Sequence, residues 1–348
     1  MKTYRFRKGP VSFTLRKREI ELALLLVVGL LVSIYFGLAI GDTFLSPASL
    51  AALFIGAGDA FEQLVVFEFR MPRVLMAITA GASLAVSGHL LQLTIKNELA
   101  SPEIFGIVGG AGVATATFFT VFSDERTNQL SVPLAYIPIA SFIGAIIVGM
   151  FLFYLLKRGV PPVRLALVGI GISIFSQGIV QFMMLASNVY RKNDIQQWLT
   201  GTVYAATWTQ LKIMIPFVLL FLLAAFLIER HVRPLHISEA TATSIGVPVR
   251  GIQRGTLLLS CLLAGIGVAF VGAIGFVGLM APHIARQGLK LPYIWATLLV
   301  GATIVVLADV LARTIFYPYE LRTGVMTAVI GAPYFFYLLR RMMKGSMR

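Results

Sequence analysis

The sequence predicts an all-α polytopic membrane protein with ten transmembrane helices and both termini in the cytoplasm. Of its 348 residues, 58% are hydrophobic and only 13% are charged, whereas an average soluble domain carries about 25% charged residues. The hydrophobic residues form long unbroken runs, while strands of a membrane barrel alternate polar and apolar residues. A soluble core cannot bury this much apolar surface, because single cores stop growing near about 250–300 residues.

Eight apolar stretches are candidates for one membrane crossing each, which takes about 20 residues. They are Leu22–Ile40, Val74–Ile95, Ile104–Phe122, Val132–Leu156, Leu165–Ala186, Ile213–Ile228, Ile294–Leu311 and Val325–Leu339. A ninth stretch, Gly255–Ile284, is too long for one span and short for two. The number of crossings therefore depends on how this glycine-rich stretch folds.

Basic residues at the two termini decide the number of spans. Seven Lys and Arg residues precede the first apolar stretch and four follow the last one, and such residues collect on the cytoplasmic side. Nine spans would place the termini on opposite sides, whereas ten place both inside. We therefore expect Gly255–Ile284 to break near Val271–Gly275, with a second, short helix continuing toward Arg286.

The ten-span topology also sorts the charges of the chain. The inner side receives 21 basic and six acidic residues, and the outer side eight basic and nine acidic ones. Orientation thus accounts for the net charge of +14, and no nucleic-acid partner is needed. Residues 1–21 are expected to form a basic cytoplasmic segment, residues 22–342 a single transmembrane domain, and residues 343–348 a basic cytoplasmic tail.

The longest polar stretch, Glu229–Arg254, interrupts the transmembrane domain on the cytoplasmic side. Within its central part, residues 236–250, Ser238 can cap a short helix, Gly246 can end it and Pro248 lies beyond. Two interpretations stay open at this point. The segment is either a plain connector or a docking surface for a cytoplasmic protein.

The motifs of common membrane enzymes are missing from the sequence. It contains no G-x-x-x-x-G-K-[ST] loop and no H-E-x-x-H, and its four histidines are scattered. We predict no catalytic residue, no metal ligand and no cofactor bound by this chain, which disfavours a membrane-embedded enzyme. If transport is driven by ATP, the ATPase is another polypeptide.

Charged residues at the outer ends of the spans are the other candidates for function. Asp309 and Arg313 are four residues apart, a spacing that allows an ion pair along a helix. Arg70, Arg73 and Arg313 either extend to lipid headgroups or receive carboxylates of an extracytoplasmic partner. The spacing of these residues does not decide between the two interpretations.

Several motifs share their order and spacing with one known family. Residues 70–73 read RMPR, 97–102 NELASP, 198–201 WLTG, 275–286 GFVGLMAPHIAR, 308–313 ADVLAR and 330–335 IGAPYF. Over residues 23–339 the chain resembles the permease subunits of FecCD-type ABC importers for iron–siderophores, haem and vitamin B12. It departs from the family pattern at Glu98 and Arg322, where the family usually has proline.

The resemblance implies ten helices and a set of partners. These are a second permease subunit, identical or homologous, two ATPase subunits that bind ATP and Mg, and an extracytoplasmic binding protein. Arg70, Arg73 and Arg313 match positions that meet glutamates of the binding protein. Pro161, Pro162 and Val163 match the family's cytoplasmic gate. In the family, coupling helices contact the ATPase. The residues of this chain that match them are Ser238, Glu239, Ala240, Thr241, Ile245, Gly246 and Val247.

The function expected from the resemblance is import of a ferric siderophore, with a hydroxamate as the favoured chelate, across a bacterial cytoplasmic membrane. Haem and cobalamin are alternative substrates, and an ion-coupled secondary transporter is the alternative of another class. Four polar residues on the fifth span share one helical face by their spacing. These residues, which either line the pathway or pack against helices of the same subunit, are Ser173, Ser176, Gln177 and Gln181.

Overall fold

The protein is almost entirely helical in the residues that its structure describes. The computed structural model describes residues 3–8, 11–41, 43–123, 129–187, 189–232, 243–244, 246 and 248–346. Helices account for nearly all of the regular structure in these ranges. The predicted class is therefore right for the bulk of the chain, with one correction at the N-terminus.

That correction is a two-stranded hairpin ahead of the first helix. Strand β1 (Thr3–Lys8) pairs antiparallel with β2 (Val11–Arg16), so the chain is not purely α-helical. The sequence around residues 4–7, Tyr-Arg-Phe-Arg, alternates apolar and charged residues, and this period of two favours a strand. The prediction of a basic segment used only the number of Lys and Arg residues and did not consider their alternation with apolar residues.

The first third of the chain contains two long helices. Helix α1 covers Lys17–Ala39, and α4 covers Met71–Ile95 after a π-helical turn at Val65–Arg70. Two short helices that the sequence analysis did not predict lie between them, α2 (Pro47–Phe54) and α3 (Ala60–Leu64). They occupy what was expected to be an outer loop.

The middle of the chain contains five helices. They are α5 (Ile107–Val121), α6 (Ile137–Lys157), α7 (Pro162–Ala186), α8 (Val189–Thr200) and α9 (Trp208–Val232). A single 3₁₀ turn precedes α6 at Leu134–Tyr136. Helix α8 was not predicted because its sequence is polar and lies between two predicted spans.

The long glycine-rich stretch is divided into two helices. Helix α10 covers Val249–Val271, and the short α11 covers Val277–His283 before a π-helical turn at Ile284–Gly288. The helix ends at Gly272, whose φ is +71°, and a Cβ there would lie 2.3 Å from the carbonyl oxygen of Trp198. Only glycine suits such a position, and the break falls within the predicted Val271–Gly275.

The last two helices are α12 (Ile294–Thr314) and α13 (Thr323–Ser346). Helix α4 lies at the centre of the described bundle, buried along nearly its whole length, and packs against α10, α11 and α12. A Cβ on Gly88 would lie 1.8 Å from the carbonyl oxygen of Gly278, so the α4 and α11 backbones are in contact. Small residues allow such close approach between membrane helices.

Seven of the described helices are long and apolar enough to cross a membrane, judged by length and composition. They are α1, α4 together with α3 and the π-helical turn before it, α6, α7, α9, α10 and α12. The C-terminal ends of α1 and α12 meet the N-terminal ends of α4 and α9 at one end of the bundle. Following the orientation predicted from charge, we call it the outer end and the opposite one the inner end.

Candidate functional site

A buried cluster of ion pairs lies at the outer end, around Asp309 of α12. The side chain of Asp309 is 2% exposed. Arg73 of α4 donates from Nε to Oδ2 at 2.9 Å and from Nη2 to Oδ1 at 3.0 Å. The predicted partner Arg313 lies 3.7 Å from the same carboxylate, and the hydroxyl of Thr323 donates to it at 3.1 Å. The predicted pair is present, but the two-point contact with Arg73 is the closer one.

The remaining donors of Arg73 reach further elements. Its Nη1 donates to Glu320 at 3.0 Å, and its guanidinium lies 5.3 Å from the ring centre of Tyr204. Arg73 therefore joins α4 to α12, to the loop before α13 and to the loop before α9. Charge-assisted two-point contacts of this kind are among the stronger hydrogen bonds in proteins.

Arg70 and Arg313 hold the C-terminal end of α1. Arg70 donates from Nη1 to the carbonyls of Leu38 and Ala39 at 2.8 and 3.1 Å, and from Nη2 to that of Thr43 at 2.8 Å. Arg313 donates from Nη2 to the carbonyl of Gly37 at 2.7 Å. These carbonyls carry the negative end of the helix dipole, which favours a cation there. The Nε of Arg313 has no hydrogen-bond partner among the described residues.

The three arginines line one cleft of about 1030 Å³ at the outer end. Glu68 and Glu320 line it as well, so with Asp309 the acidic residues equal the arginines in number. Each arginine is only 6–7% exposed in the single chain. The prediction that they receive carboxylates of a partner remains a prediction, but the structure brings all three to one place.

A second cleft, of about 710 Å³, lies at the inner end. Pro161 and Pro162, in the turn between α6 and α7, form part of its wall together with Thr243 and Pro248. The predicted gate turn therefore lies beside the end of the predicted coupling segment. Val163, the third predicted gate residue, is 76% exposed and does not line this cleft.

The predicted coupling segment is described only near its end. Gly246 donates its N–H to the carbonyl of Thr243 at 3.0 Å and has a φ of +78°, the geometry of a residue that ends a helix. Its predicted role as a helix stop is consistent with this. The other predicted coupling residues lie outside the described residues, namely Ser238, Glu239, Ala240, Thr241, Ile245 and Val247.

The polar residues of α7 divide into two groups. Ser176 is buried against Gly109 of α5, and Ser173 is half-buried beside Gly106. Gln177 and Gln181 are exposed in the single chain. The two serines thus pack within the subunit, and only the two glutamines are open on the helix surface.

Glu103, which the sequence analysis counted only as an inner charge, contacts the break between α10 and α11. It is half-buried in the loop before α5, and its Oε1 accepts a hydrogen bond from the Phe276 N–H at 3.1 Å. Burial raises the pKa of Glu103 to about 7, although the Phe276 N–H and the Ser101 hydroxyl act in the opposite direction. Glu103 directly precedes the apolar residues Ile104 and Phe105, and this position beside an apolar stretch could have identified it as a buried carboxylate.

No group of three or more His, Cys, Asp or Glu side chains that could hold a metal ion occurs in the part of the chain that the structure describes. The described clefts offer guanidinium and carboxylate groups at the outer end, and guanidinium and ammonium groups at the inner end. Such groups bind ions and charged side chains by electrostatic contact and hydrogen bonds. This chemistry suits docking and passage of a ligand.

Comparison with known proteins gives matches along nearly the whole chain. A sequence model of the FecCD transport family matches residues 29–341. A protein named as a probable siderophore transport system permease, YfhA of Bacillus subtilis, is 39% identical over 94% of this chain and 96% of its own length. The Fe(3+) dicitrate transport system permease FecD of Escherichia coli is 37% identical over 80% of this chain and 86% of its own.

A solved structure supports the same relationship. A chain described as a metal-chelate type ABC transporter in an inward-facing conformation superposes with a TM-score of 0.81 and 26% identity, covering 92% of this chain and 99% of its own. The sequence matches and the shared fold both extend over almost the full length. The chain therefore belongs to the FecCD transport family.

Proposed function

We propose that this chain is the membrane-spanning subunit of an ATP-driven importer that passes a ferric siderophore from an extracytoplasmic binding protein to the cytoplasm. The observation that carries the proposal is the inner cleft, where the gate turn Pro161–Pro162 lies beside Thr243 and Pro248 of the coupling segment. The names of YfhA and FecD, a siderophore and a ferric dicitrate permease, support the substrate class.

The proposed topology has ten spans in the cytoplasmic membrane, with both termini inside. Seven of the spans are the long apolar helices. The other three are α5, α11 with its π-helical turn, and α13. The break at Gly272 supports this count, because it divides one long run into two helices. Residues 1–21 and 343–348 are then cytoplasmic, and residues 22–342 form the permease domain.

The energy for transport comes from partner subunits in this proposal. Two ATPase subunits bind ATP and Mg, and a second permease chain, identical or homologous, completes the membrane part. Movement of the coupling segment at residues 236–250 reaches Pro161–Pro162 directly, since both contribute to one cleft. The substrate then passes along α7, where Gln177 and Gln181 are exposed, while Ser173 is half-buried and Ser176 is buried nearer α5.

The outer cleft is the proposed docking site for the binding protein. Carboxylates of that protein would meet Arg70, Arg73 and Arg313. The Nε of Arg313 supports this role, because it is a buried donor that has no hydrogen-bond partner among the described residues. The guanidinium groups of Arg70 and Arg73 are already engaged, so docking would exchange some internal contacts for external ones.

The coupling role can be tested with Gly246→Val in the reconstituted complex. Gly246 and Gly56 both have φ near +78°, and none of the described residues has an atom within 4 Å of a Cβ at either position. Gly56→Val, in an outer loop, therefore imposes a similar backbone strain away from the coupling segment. We expect Gly246→Val to lower the ratio of substrate-stimulated to basal ATPase rate several-fold, and Gly56→Val to leave it unchanged. Equal ratios in both variants would remove this segment from the mechanism.

Transport assays separate the remaining alternatives. Uptake of iron from a hydroxamate chelate, compared with haem and cobalamin, identifies the substrate. An ion-coupled secondary transporter would continue uptake with a catalytically dead ATPase and stop when the proton gradient is dissipated. The importer proposed here behaves in the opposite way in both conditions.

A further inference from the structure

The wall of the inner cleft is strongly basic. Lys157 and Arg158 at the end of α6, and Arg250 and Arg254 at the start of α10, all line it. The lining, taken from the described residues, contains no Asp or Glu. Arg254 donates to the carbonyl of Lys157 at 3.5 Å, which ties the start of α10 to the end of α6. Four cations thus converge on one concave site.

Two helix N-termini add to the positive potential of the cleft. Helix α7 begins at Pro162 and α10 begins at Val249, and both of these residues line the wall. The N-terminal end of a helix carries a partial positive charge, and the first N–H groups of α10 have no partner inside the helix, whereas Pro162 at the start of α7 has no N–H. With four basic side chains nearby, the site favours an anion with several acceptor oxygens, such as a phosphate group.

An exposed apolar stripe on α6 leads directly to this cleft. Met150 and Phe151 lie three and four residues after Ile147 and four and three before Tyr154, and all four are 47–64% exposed. Arg158 continues the stripe, with its guanidinium 5.2 Å from the ring centre of Tyr154 and its Nε donating to the Tyr154 hydroxyl at 3.0 Å. A tyrosine followed by an arginine at a helix end is typical of the membrane–water interface.

We propose that the inner cleft binds the phosphate-bearing headgroup of an anionic phospholipid of the cytoplasmic leaflet, with the acyl chains along the apolar stripe of α6. The cleft volume of about 710 Å³ is within the usual range of small-molecule sites, about 300–1,000 Å³. Basic pockets between membrane helices on the cytoplasmic side are suited to such headgroups. The assignment rests on the proposed orientation of the chain.

The bound lipid would lie against Pro161–Pro162 and the end of the coupling segment, because these residues share the same wall. Its headgroup would neutralise cations that otherwise repel one another between α6 and α10. Closing or opening the cleft would then change the contacts of the lipid. Membrane composition would in this way influence the coupling of the transporter.

The test compares two double variants of the full-length chain, purified with its partner subunits in nanodiscs. Lys157→Gln with Arg250→Gln removes two exposed charges of the cleft. Arg164→Gln with Lys290→Gln removes two exposed charges of the same end that do not line the cleft. Phosphatidylglycerol binding is measured by native mass spectrometry in a phosphatidylcholine background. We expect about tenfold weaker binding in the cleft variant and unchanged binding in the control variant.

Three outcomes would overturn the proposal. Equal phosphatidylglycerol binding by both variants would exclude a lipid site in this cleft. Full displacement of the lipid by millimolar inorganic phosphate would identify a site for free ions. Loss of the ATPase subunits from the cleft variant, with lipid binding unchanged, would identify a protein-docking surface. Melting temperatures of the variants check their folding, and because no transport is measured, failure of the proposed import function would leave the lipid result standing.

Discussion

At the outer end of the bundle, Arg70, Arg73 and Arg313 are almost fully buried and each donates to a carbonyl or a carboxylate. At the inner end, Lys157 and Arg250 are exposed in the wall of a cleft. A buried cation is stable only when it is paired, so the outer charges are part of the packing. The inner charges are not required for packing and are available to an anionic ligand.

The largest expected effect is at the centre of the outer cluster. Asp309→Asn removes the carboxylate while Arg73 and Arg313 stay buried. Breaking a buried pair in this way costs about 3–5 kcal/mol, and we expect a loss of that size in the free energy of unfolding. Chemical unfolding in detergent micelles measures it.

Two controls distinguish burial from simple loss of charge. Asp59→Asn changes a carboxylate on an exposed residue with no side-chain cap bond, and should alter the free energy of unfolding by less than about 0.5 kcal/mol. Glu320, whose side chain is 39% exposed, also pairs with Arg73, and Glu320→Gln should cost about 1 kcal/mol or less. If all three variants were equally stable, the outer cluster would not depend on burial.

A smaller effect is expected at the end of α1. Arg70→Gln removes the guanidinium that bonds the carbonyls of Leu38, Ala39 and Thr43. Thr43 is exposed and the Ala39 carbonyl also accepts from the Leu45 N–H, so the buried Leu38 carbonyl is the acceptor that loses its donor among the described residues. One buried acceptor left without a donor costs about 1–3 kcal/mol, and the free energy of unfolding should fall by that amount. Lys17→Gln, on the exposed start of the same helix, is the matched control. A loss in the control as large as in Arg70→Gln would contradict the assignment.

Glu103 gives a prediction that depends on pH. Its pKa is raised to about 7 from the ordinary 4.5, so the folded chain holds a proton that the unfolded chain has lost between these values. Stability should therefore fall as pH rises from about 4.5 through about 7. Glu103→Gln should remove this dependence of stability on pH. The difference in melting temperature between the variant and the wild type should therefore grow in favour of the variant up to about pH 7.5. Parallel curves for the two proteins would contradict the raised pKa.

The smallest effect on stability is expected in the inner cleft. Lys157→Gln and Arg250→Gln remove exposed charges, and each should change the free energy of unfolding by less than about 0.5 kcal/mol. The same unfolding assay gives this value beside Asp309→Asn. A loss of several kcal/mol in either variant would mean that both ends of the molecule depend on their cations for packing.

Features that depend on local pattern or on topology could be predicted from the sequence. Counting crossings placed the break within Val271–Gly275, and helical spacing identified the Asp309–Arg313 pair. The pairing of Arg73 with Asp309 could not be predicted, because these residues are 236 positions apart and meet only when α4 packs on α12. The short helices α2, α3 and α8 were missed because they lack the apolar length by which spans were recognised.

The polar face of α7 shows a limit of spacing arguments. Successive residues of a helix are rotated by about 100° about its axis, so residues three or four apart are still separated by about 40–60°. A set of such residues therefore covers a wide part of the helix surface. Buried positions of α7 are Leu165, Gly169, Ser176 and Val180, and they follow one narrow stripe. Ser173 lies at the edge of this stripe and is half-buried, while Gln177 and Gln181 lie farther round the helix and are exposed. Which part of this surface is buried depends on the packing of α5, which the sequence of α7 does not contain.

The break after α10 also links three parts of the chain through main-chain atoms. The Trp198 carbonyl at the end of α8 accepts from the N–H of Ala273, and the Gly201 carbonyl accepts from the N–H of Gly324 at the start of α13. Hydrogen bonds between peptide groups do not depend on which side chains are present. Substitutions that keep Gly201, Gly272 and Gly324 would therefore leave these hydrogen bonds in place, so the end of α8, the break before α11 and the start of α13 are tied to one another by the main chain.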